Sequence, residues 1–115
     1  VIAPGEIRLV WFPFSRNEAE SYKKRPVLVL GAVGAPPDQA ILVAMVTGNP
    51  ARFTKPHAGD VPLQDWATLG LKKESVIRAR RIWTAEERDF TGPPMGPVDD
   101  AVLETVKAEL RALLL

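Results

Sequence analysis

The sequence predicts a small α+β domain, mainly β: a curled, barrel-like antiparallel sheet with a C-terminal helix. Three observations carry this. Short apolar or alternating runs of strand length recur along the chain, separated by turns marked with Gly and Pro. Helical spacing sustained over several turns appears only after Pro97. The 115 residues suit one domain, spanning 1–115, with one core.

Pro4-Gly5 is a turn signal, and the run from Glu6 to Phe14 follows it. Ile7, Leu9 and Trp11 alternate with Arg8, Val10 and Phe12, as in a strand with one strongly apolar face. Pro13 near its end suggests an edge or a bulge. Residues Ser15 to Tyr22 are polar and aperiodic and read as a long hairpin loop. Lys23-Lys24-Arg25-Pro26-Val27-Leu28-Val29-Leu30-Gly31 then places three cations before a proline and a run of β-formers. This predicts a buried strand with Pro26 at its first residue and Arg25 at its mouth. After the Pro36-Pro37-Asp38 turn, Ala40 to Val46 is a second short apolar strand, closed by Thr47-Gly48-Asn49-Pro50. The two pair antiparallel across a short connection. Such pairing sets the start of one, Arg25, and the end of the other, Thr47, at the same end of the sheet.

Arg52 to Gly59 reads as a loop, Asp60 to Leu63 as a short strand, and Gln64 to Gly70 as one helical turn with a glycine cap. Strands are expected at Ser75–Ala79 and Arg80–Thr84, with a bend or bulge where Arg78, Arg80 and Arg81 cluster. Glu86 to Phe90 reads as a short strand or turn, and Thr91 to Pro97 as a rigid connector. Asp99 is the expected N-cap of the last helix. Asp100 and Glu104 suit the positive end of its dipole, Lys107 and Arg111 the negative end. Val102, Leu103, Val106, Leu110, Leu113 and Leu114 form its apolar stripe, which should pack on the sheet.

Composition narrows the chemistry. Apolar residues are 46% and charged residues 25%, the balance of a soluble globular protein. Cysteine is absent, which excludes a disulfide framework and thiolate-bound metal and fits a reducing, cytoplasmic location. No apolar stretch is long enough to span a membrane, and no basic-then-apolar leader is visible at the N-terminus. With one histidine and no acidic pair at ligand spacing, no metal and no other cofactor is expected. No glycine-rich phosphate loop is present. The net charge is only +1, but it is unevenly spread. From Pro97 onward two cations accompany four carboxylates, whereas the preceding part has thirteen cations against ten carboxylates. Any anion-binding surface should therefore lie before the terminal helix.

One surface remains for chemistry, built from Arg25, Thr47 and the adjoining loops. A guanidinium fixed at a strand mouth suits a phosphate, because its planar fork makes two parallel hydrogen bonds. The same stretch also reads as a solvated cationic turn, or as an arginine paired with a carboxylate. Arg16, Lys23, Lys24, Arg52, Lys55 and His57 are the candidates for a cationic rim. Such a rim fits a polyanion, and loops that reach splayed bases favour single-stranded nucleic acid. Tyr22 and Phe53 are the candidates for base stacking; a loop anchor and core packing are their alternatives.

In order, Gly5-Glu6, Val10-Trp11-Phe12, Lys24 to Leu30, Ala44-Met45-Val46-Thr47, Asp60-Val61-Pro62-Leu63, Gly70 to Arg78, Ile82 and Val98-Asp99-Asp100 resemble the MazF/PemK toxin family across nearly the whole chain. The resemblance implies an SH3-like barrel with a terminal helix, usually a homodimer. It also implies a metal-independent endoribonuclease acting on single-stranded RNA and a cognate antitoxin that blocks the groove. It carries the catalytic arginine onto Arg25 and the catalytic threonine onto Thr47. Two departures stand out: members often have Ser where this chain has Gly48, and usually begin Gly-Asp where it has Gly5-Glu6. The first touches the site; the second bears on a turn. A general base is not assigned by the residues, with His57 and Glu20 as candidates. The alternative function is a non-catalytic binder of the related CcdB type, or an inactive toxin acting through protein partners.

Overall fold

The computed structural model describes residues 2–12, 23–55 and 57–114. Six strands form one sheet: β1 (Ile7–Phe12), β2 (Lys23–Val33), β3 (Ala40–Thr47), β4 (Asp60–Leu63), β5 (Ser75–Ala85) and β6 (Phe90–Met95). Their order is β4-β5-β3-β2-β1-β6, and each neighbouring pair is antiparallel. The sheet is curled but open, with β4 and β6 as its edges. A single helical turn, α1 (Ala51–Thr54), leaves β3, and a longer helix, α2 (Asp100–Leu114), ends the chain. The fold is mainly β with a C-terminal helix, as the sequence predicts.

Strand alternation sorts the apolar residues onto two faces. The inner face holds the larger cluster, with Ile7, Leu28, Leu30, Ala44, Val46, Val61, Leu63, Ile77 and Ala79. Helix α2 covers it with Val102, Leu103, Val106 and Leu110. Val106 is fully buried, and burying a side chain of this kind stabilises by about 1.5–3 kcal/mol. Leu113 and Leu114 fall outside the expected stripe: they are exposed, at the last turn of α2, beyond the sheet. The outer face carries a second cluster of Val10, Val27, Val29, Ile41 and Val43, flanked by Met45, Trp83 and Phe90.

Several elements differ from expectation for identifiable reasons. β2 begins at Lys23, so Arg25 lies within the strand, opposite Val10, and Pro26 is not its first residue. Val29 exchanges hydrogen bonds with Gly5 and Glu6 on the β1 side. Backbone groups alternate sides along a strand, so Pro26, three residues earlier, turns its nitrogen towards β3. It has no N–H to offer there. The β2–β3 ladder accordingly begins at Val27↔Met45. Thr91 to Pro97 is not a connector, because Phe90–Met95 pairs with β1 at the sheet edge. Gly92, Pro93 and Pro94 sit in the irregular part of that pairing, where an edge strand tolerates missing donors. By contrast, Gln64 to Gly70 makes the single turn expected: Leu69 donates its N–H to the Asp65 carbonyl, and Gly70, with φ +93°, closes it while Leu71 donates to the Trp66 carbonyl. Residues Arg52 to Thr54 belong to α1 and not to a loop. The two strands expected around the arginine cluster form one, β5, with a bulge. Ala44 pairs with Ile82 and Met45 with Arg78, leaving Ala79, Arg80 and Arg81 between.

Candidate active site on the outer face

Two rungs of the outer face hold the candidate residues. Arg8, Val27, Met45, Arg78 and Asp60 are successive cross-strand partners from β1 to β4. One step along, Val10 partners Arg25, while Thr47 partners Val76 and Val76 partners Pro62. Carrying the β2–β3 register two residues past Val27↔Met45 sets Arg25 against Thr47. Both therefore project from the same face at the point where Pro26 opens the ladder. Arg25 is exposed and Thr47 half-buried.

Local hydrogen bonds orient the threonine. Asn49 donates its backbone N–H to Thr47 Oγ1 at 3.2 Å, and Ala51 donates its own to Asn49 Oδ1 at 3.0 Å. These short-range bonds turn the chain out of β3 and into α1. With Oγ1 accepting from Asn49, the Thr47 hydroxyl proton points elsewhere and can be given to an anion.

A buried ionic cluster lies beside this pair. Arg52, carried on α1, places Nη2 2.7 Å from Asp60 Oδ1, with side chains 11% and 5% exposed. Arg52 Nη1 lies 2.7 Å from His57 Nδ1. A guanidinium can only donate, so Nδ1 accepts and neutral His57 carries its proton on Nε2. Exposed His57 thus presents a donor to solvent, and its backbone N–H bonds Asp60 Oδ2 at 3.2 Å. Arg78, opposite Asp60 in the ladder, has a pKa lowered by burial and by the charges of Arg52 and Arg81, with Asp60 opposing. The Nε atoms of Arg52 and Arg78 are buried without a hydrogen-bond partner. Asp60 and Arg78 did not stand out in the sequence as site residues. The available signal was the pairing of a strand-opening aspartate with an arginine cluster, which only the β4–β5 register makes visible.

The other rim candidates divide. Lys24 pairs with Trp11, and alternation puts it on the face opposite Arg25, where its ammonium lies 5.1 Å from the Trp11 ring centre. Lys55 is exposed just past α1, and Phe53 is half-buried on it. Lys23 pairs with Phe12 through the backbone, and its side chain is outside the described part. Arg16, Glu20 and Tyr22 lie outside the described residues. At the β5 bulge, Met45, Arg80, Arg81, Ile82 and Trp83 line an open groove of about 320 Å³. Among the described residues no group of acidic, histidine or cysteine side chains could hold a metal ion. No helix among them is long and apolar enough to cross a membrane.

Comparison with solved structures finds the same fold repeatedly. The Mycobacterium tuberculosis toxin MazF-mt6 superposes with a TM-score of 0.68 at 21% identity, covering 95% of each chain. MazF in the MazE-MazF crystal structure from Deinococcus radiodurans gives 0.66 at 19% identity, covering 99% of this chain and 95% of that one. An endoribonuclease in complex with its cognate antitoxin, from a mycobacterial species, gives 0.63 at 14% identity, covering 99% and 95%. No curated protein sequence matches significantly. The family model described as "PemK-like, MazF-like toxin of type II toxin-antitoxin system" matches residues 3–114. The chain therefore belongs to the PemK/MazF-like toxin family of type II toxin-antitoxin systems.

Proposed function

We propose that this toxin is a metal-independent endoribonuclease that cleaves single-stranded RNA. The observation that supports the reading is that Arg25 and Thr47 lie at the same end of the antiparallel strands β2 and β3, on one face when the register is extended from Val27↔Met45. Paired strands lie about 4.8 Å apart, so a guanidinium and a hydroxyl on neighbouring strands can reach one phosphate.

In the reaction the ribose 2′-oxygen bonds to the adjacent phosphorus and the bond from phosphorus to the 5′-oxygen breaks. The 2′-hydroxyl loses its proton, the leaving 5′-oxygen gains one, and the products are a 2′,3′-cyclic phosphate and a 5′-hydroxyl end. Arg25 stabilises the charge that gathers on the phosphoryl oxygens. Thr47 donates its hydroxyl proton to one of them, its oxygen being held by Asn49. His57, with its proton on Nε2, is suited to give a hydrogen bond to the RNA and not to take the 2′-proton. Arg81 and Trp83 wall the groove into which a neighbouring nucleotide extends.

The neighbours described as MazE-MazF and as an endoribonuclease with its cognate antitoxin support an antitoxin as the protein partner. An acidic tail lying along Arg25, Arg81 and Lys55 would occupy the RNA path. A cytoplasmic homodimer is part of the same reading.

Incubating the protein with a long single-stranded RNA, with and without EDTA, tests it. Fragments with 5′-hydroxyl ends should appear in both conditions, and Arg25→Ala should lower the rate by about 10²–10³ while keeping the fold. Intact RNA with wild-type protein would overturn the nuclease reading and favour a toxin that acts only by binding.

A further inference from the structure

The bulge in β5 opens a groove beside an outer face otherwise filled with valine and isoleucine. Ala79, Arg80 and Arg81 have no partner on β3, and bulges of this kind re-aim side chains next to functional sites. Met45, Arg80, Arg81, Ile82 and Trp83 line the groove, which holds about 320 Å³. Met45 ties it to the candidate site. It precedes Thr47 by two residues on β3, hence on the same face and about 7 Å away along the strand. Met45 and Trp83 both pack on the outer apolar cluster, and Ile82 is 43% exposed. The two arginines differ. The Arg80 stem lies against Gly59, where an added Cβ would come 2.7 Å from Arg80 Cγ, and its Nη2 is 3.9 Å from Glu109 Oε2 on α2. Arg81 is exposed, and among the described residues no carboxylate is ion-paired with it. Its charge is felt by Arg78, the cross-strand partner of Met45 on the Thr47 side of the bulge.

We propose that this groove selects a guanine next to the cleaved phosphate and that Arg81 reads it, an inference that rests on the nuclease reading above. Trp83, Met45 and Ile82 supply apolar walls on which a splayed base stacks. Arg81 supplies donors only, set in a planar fork. Guanine matches that fork because O6 and N7 are neighbouring acceptors on one edge. The same edge of adenine joins an acceptor to an amino donor, and the pyrimidines offer a single polar group there. No carboxylate lines the groove, so a base edge led by donors meets no charged acceptor in it.

Digesting a long single-stranded RNA of mixed sequence and sequencing the new 5′-hydroxyl ends reads the base on each side of every cut. Wild-type protein should enrich guanine at one of the two flanking positions by about tenfold, the discrimination of one bidentate arginine contact. Arg81→Ala should abolish that enrichment. Arg81→Gln should move it to adenine, because a glutamine amide matches adenine N6 and N7. Arg81 is exposed, so both variants should unfold at the wild-type temperature. Where a variant cuts too slowly to map, the same preference is read by binding in the Arg25→Ala background. The probe is an oligonucleotide copied from the wild-type cut sites, with that guanine kept or replaced by adenine. The guanine strand should bind about tenfold tighter, and Arg81→Gln should reverse the order. A base preference unchanged in Arg81→Ala and Arg81→Gln would overturn the proposal, even with cleavage slowed at all sites alike, since that marks loss of charge only. So would wild-type cuts flanked by another base or by none in particular. Wild-type protein that leaves RNA intact would instead remove the nuclease reading, and this proposal with it.

Discussion

Asp60 neutralises Arg52 across 2.7 Å in a pair that solvent hardly reaches. One residue opens β4 and the other rides on α1, so their contact fixes the short helix after Thr47 against the sheet. Exposed ion pairs contribute little, but a buried charge deprived of its partner is costly.

Asp60→Asn should therefore destabilise the protein by about 3–5 kcal/mol, because Arg52 would be left buried with Arg78 nearby. Urea titration of both proteins measures this. Replacing the pair together, Arg52→Met with Asp60→Leu, should cost much less, since no lone charge remains. A double variant as unstable as Asp60→Asn would show that packing, not charge, accounts for the loss.

The Thr47 hydroxyl accepts the Asn49 N–H and, on the proposed reading, donates to the phosphate, so substitution tests whether cleavage needs it. Thr47→Ser keeps the oxygen that accepts the Asn49 N–H and should retain cleavage within about fivefold. Thr47→Ala removes both that acceptor and the proposed donor to phosphate. It should slow single-turnover RNA cleavage by about 10² and lower stability by about 1 kcal/mol. An alanine variant as fast as wild type would take Thr47 out of the chemistry.

The two ends of the α2 stripe should respond differently. Val106 is fully buried against the sheet, so Val106→Ala should cost about 2 kcal/mol through lost transfer energy and a residual cavity. Leu114 is 77% exposed, and Leu114→Ser should stay within about 0.5 kcal/mol of wild type. Thermal unfolding of the two variants checks both. Equal losses would mean that the final turn of α2 is packed against something in solution.

Cleavage should weaken steeply with salt. If the nuclease reading holds, cationic contacts such as that of Arg25 make RNA affinity fall with salt by a slope of about 0.7 per phosphate engaged. Measuring KM between low and moderate salt checks this. A flat dependence would show that binding is not governed by the phosphate backbone.

The strands were legible where their side chains alternate or run apolar, as at Ile7 to Phe12 and Ala40 to Val46, because those patterns record burial one residue at a time. Helix α2 was legible up to Leu110 for the same reason. Phe90–Met95 was not, because Gly92, Pro93 and Pro94 deny strand by local preference, and only an edge beside β1 makes room for them. The start of β2 lies three residues before the expected Pro26, at Lys23, which puts Arg25 inside the strand. Pro26 is tolerated inside β2 by interrupting the ladder to β3, a relation no local pattern contains.

By itself the sequence determined the class of fold, the family, and the position of Arg25 and Thr47 at the same end of an antiparallel pair. The fold class and that shared end follow from periodicity and chain direction, and the family from the resemblance of its motifs taken in order; all are properties of the chain alone. Tertiary structure decided which cations share their face. Lys24 was turned away to Trp11, and Arg52 was engaged by Asp60. Those outcomes depend on strand parity and on contacts between segments distant in sequence, where a one-residue shift of register would send each side chain to the other side of the sheet.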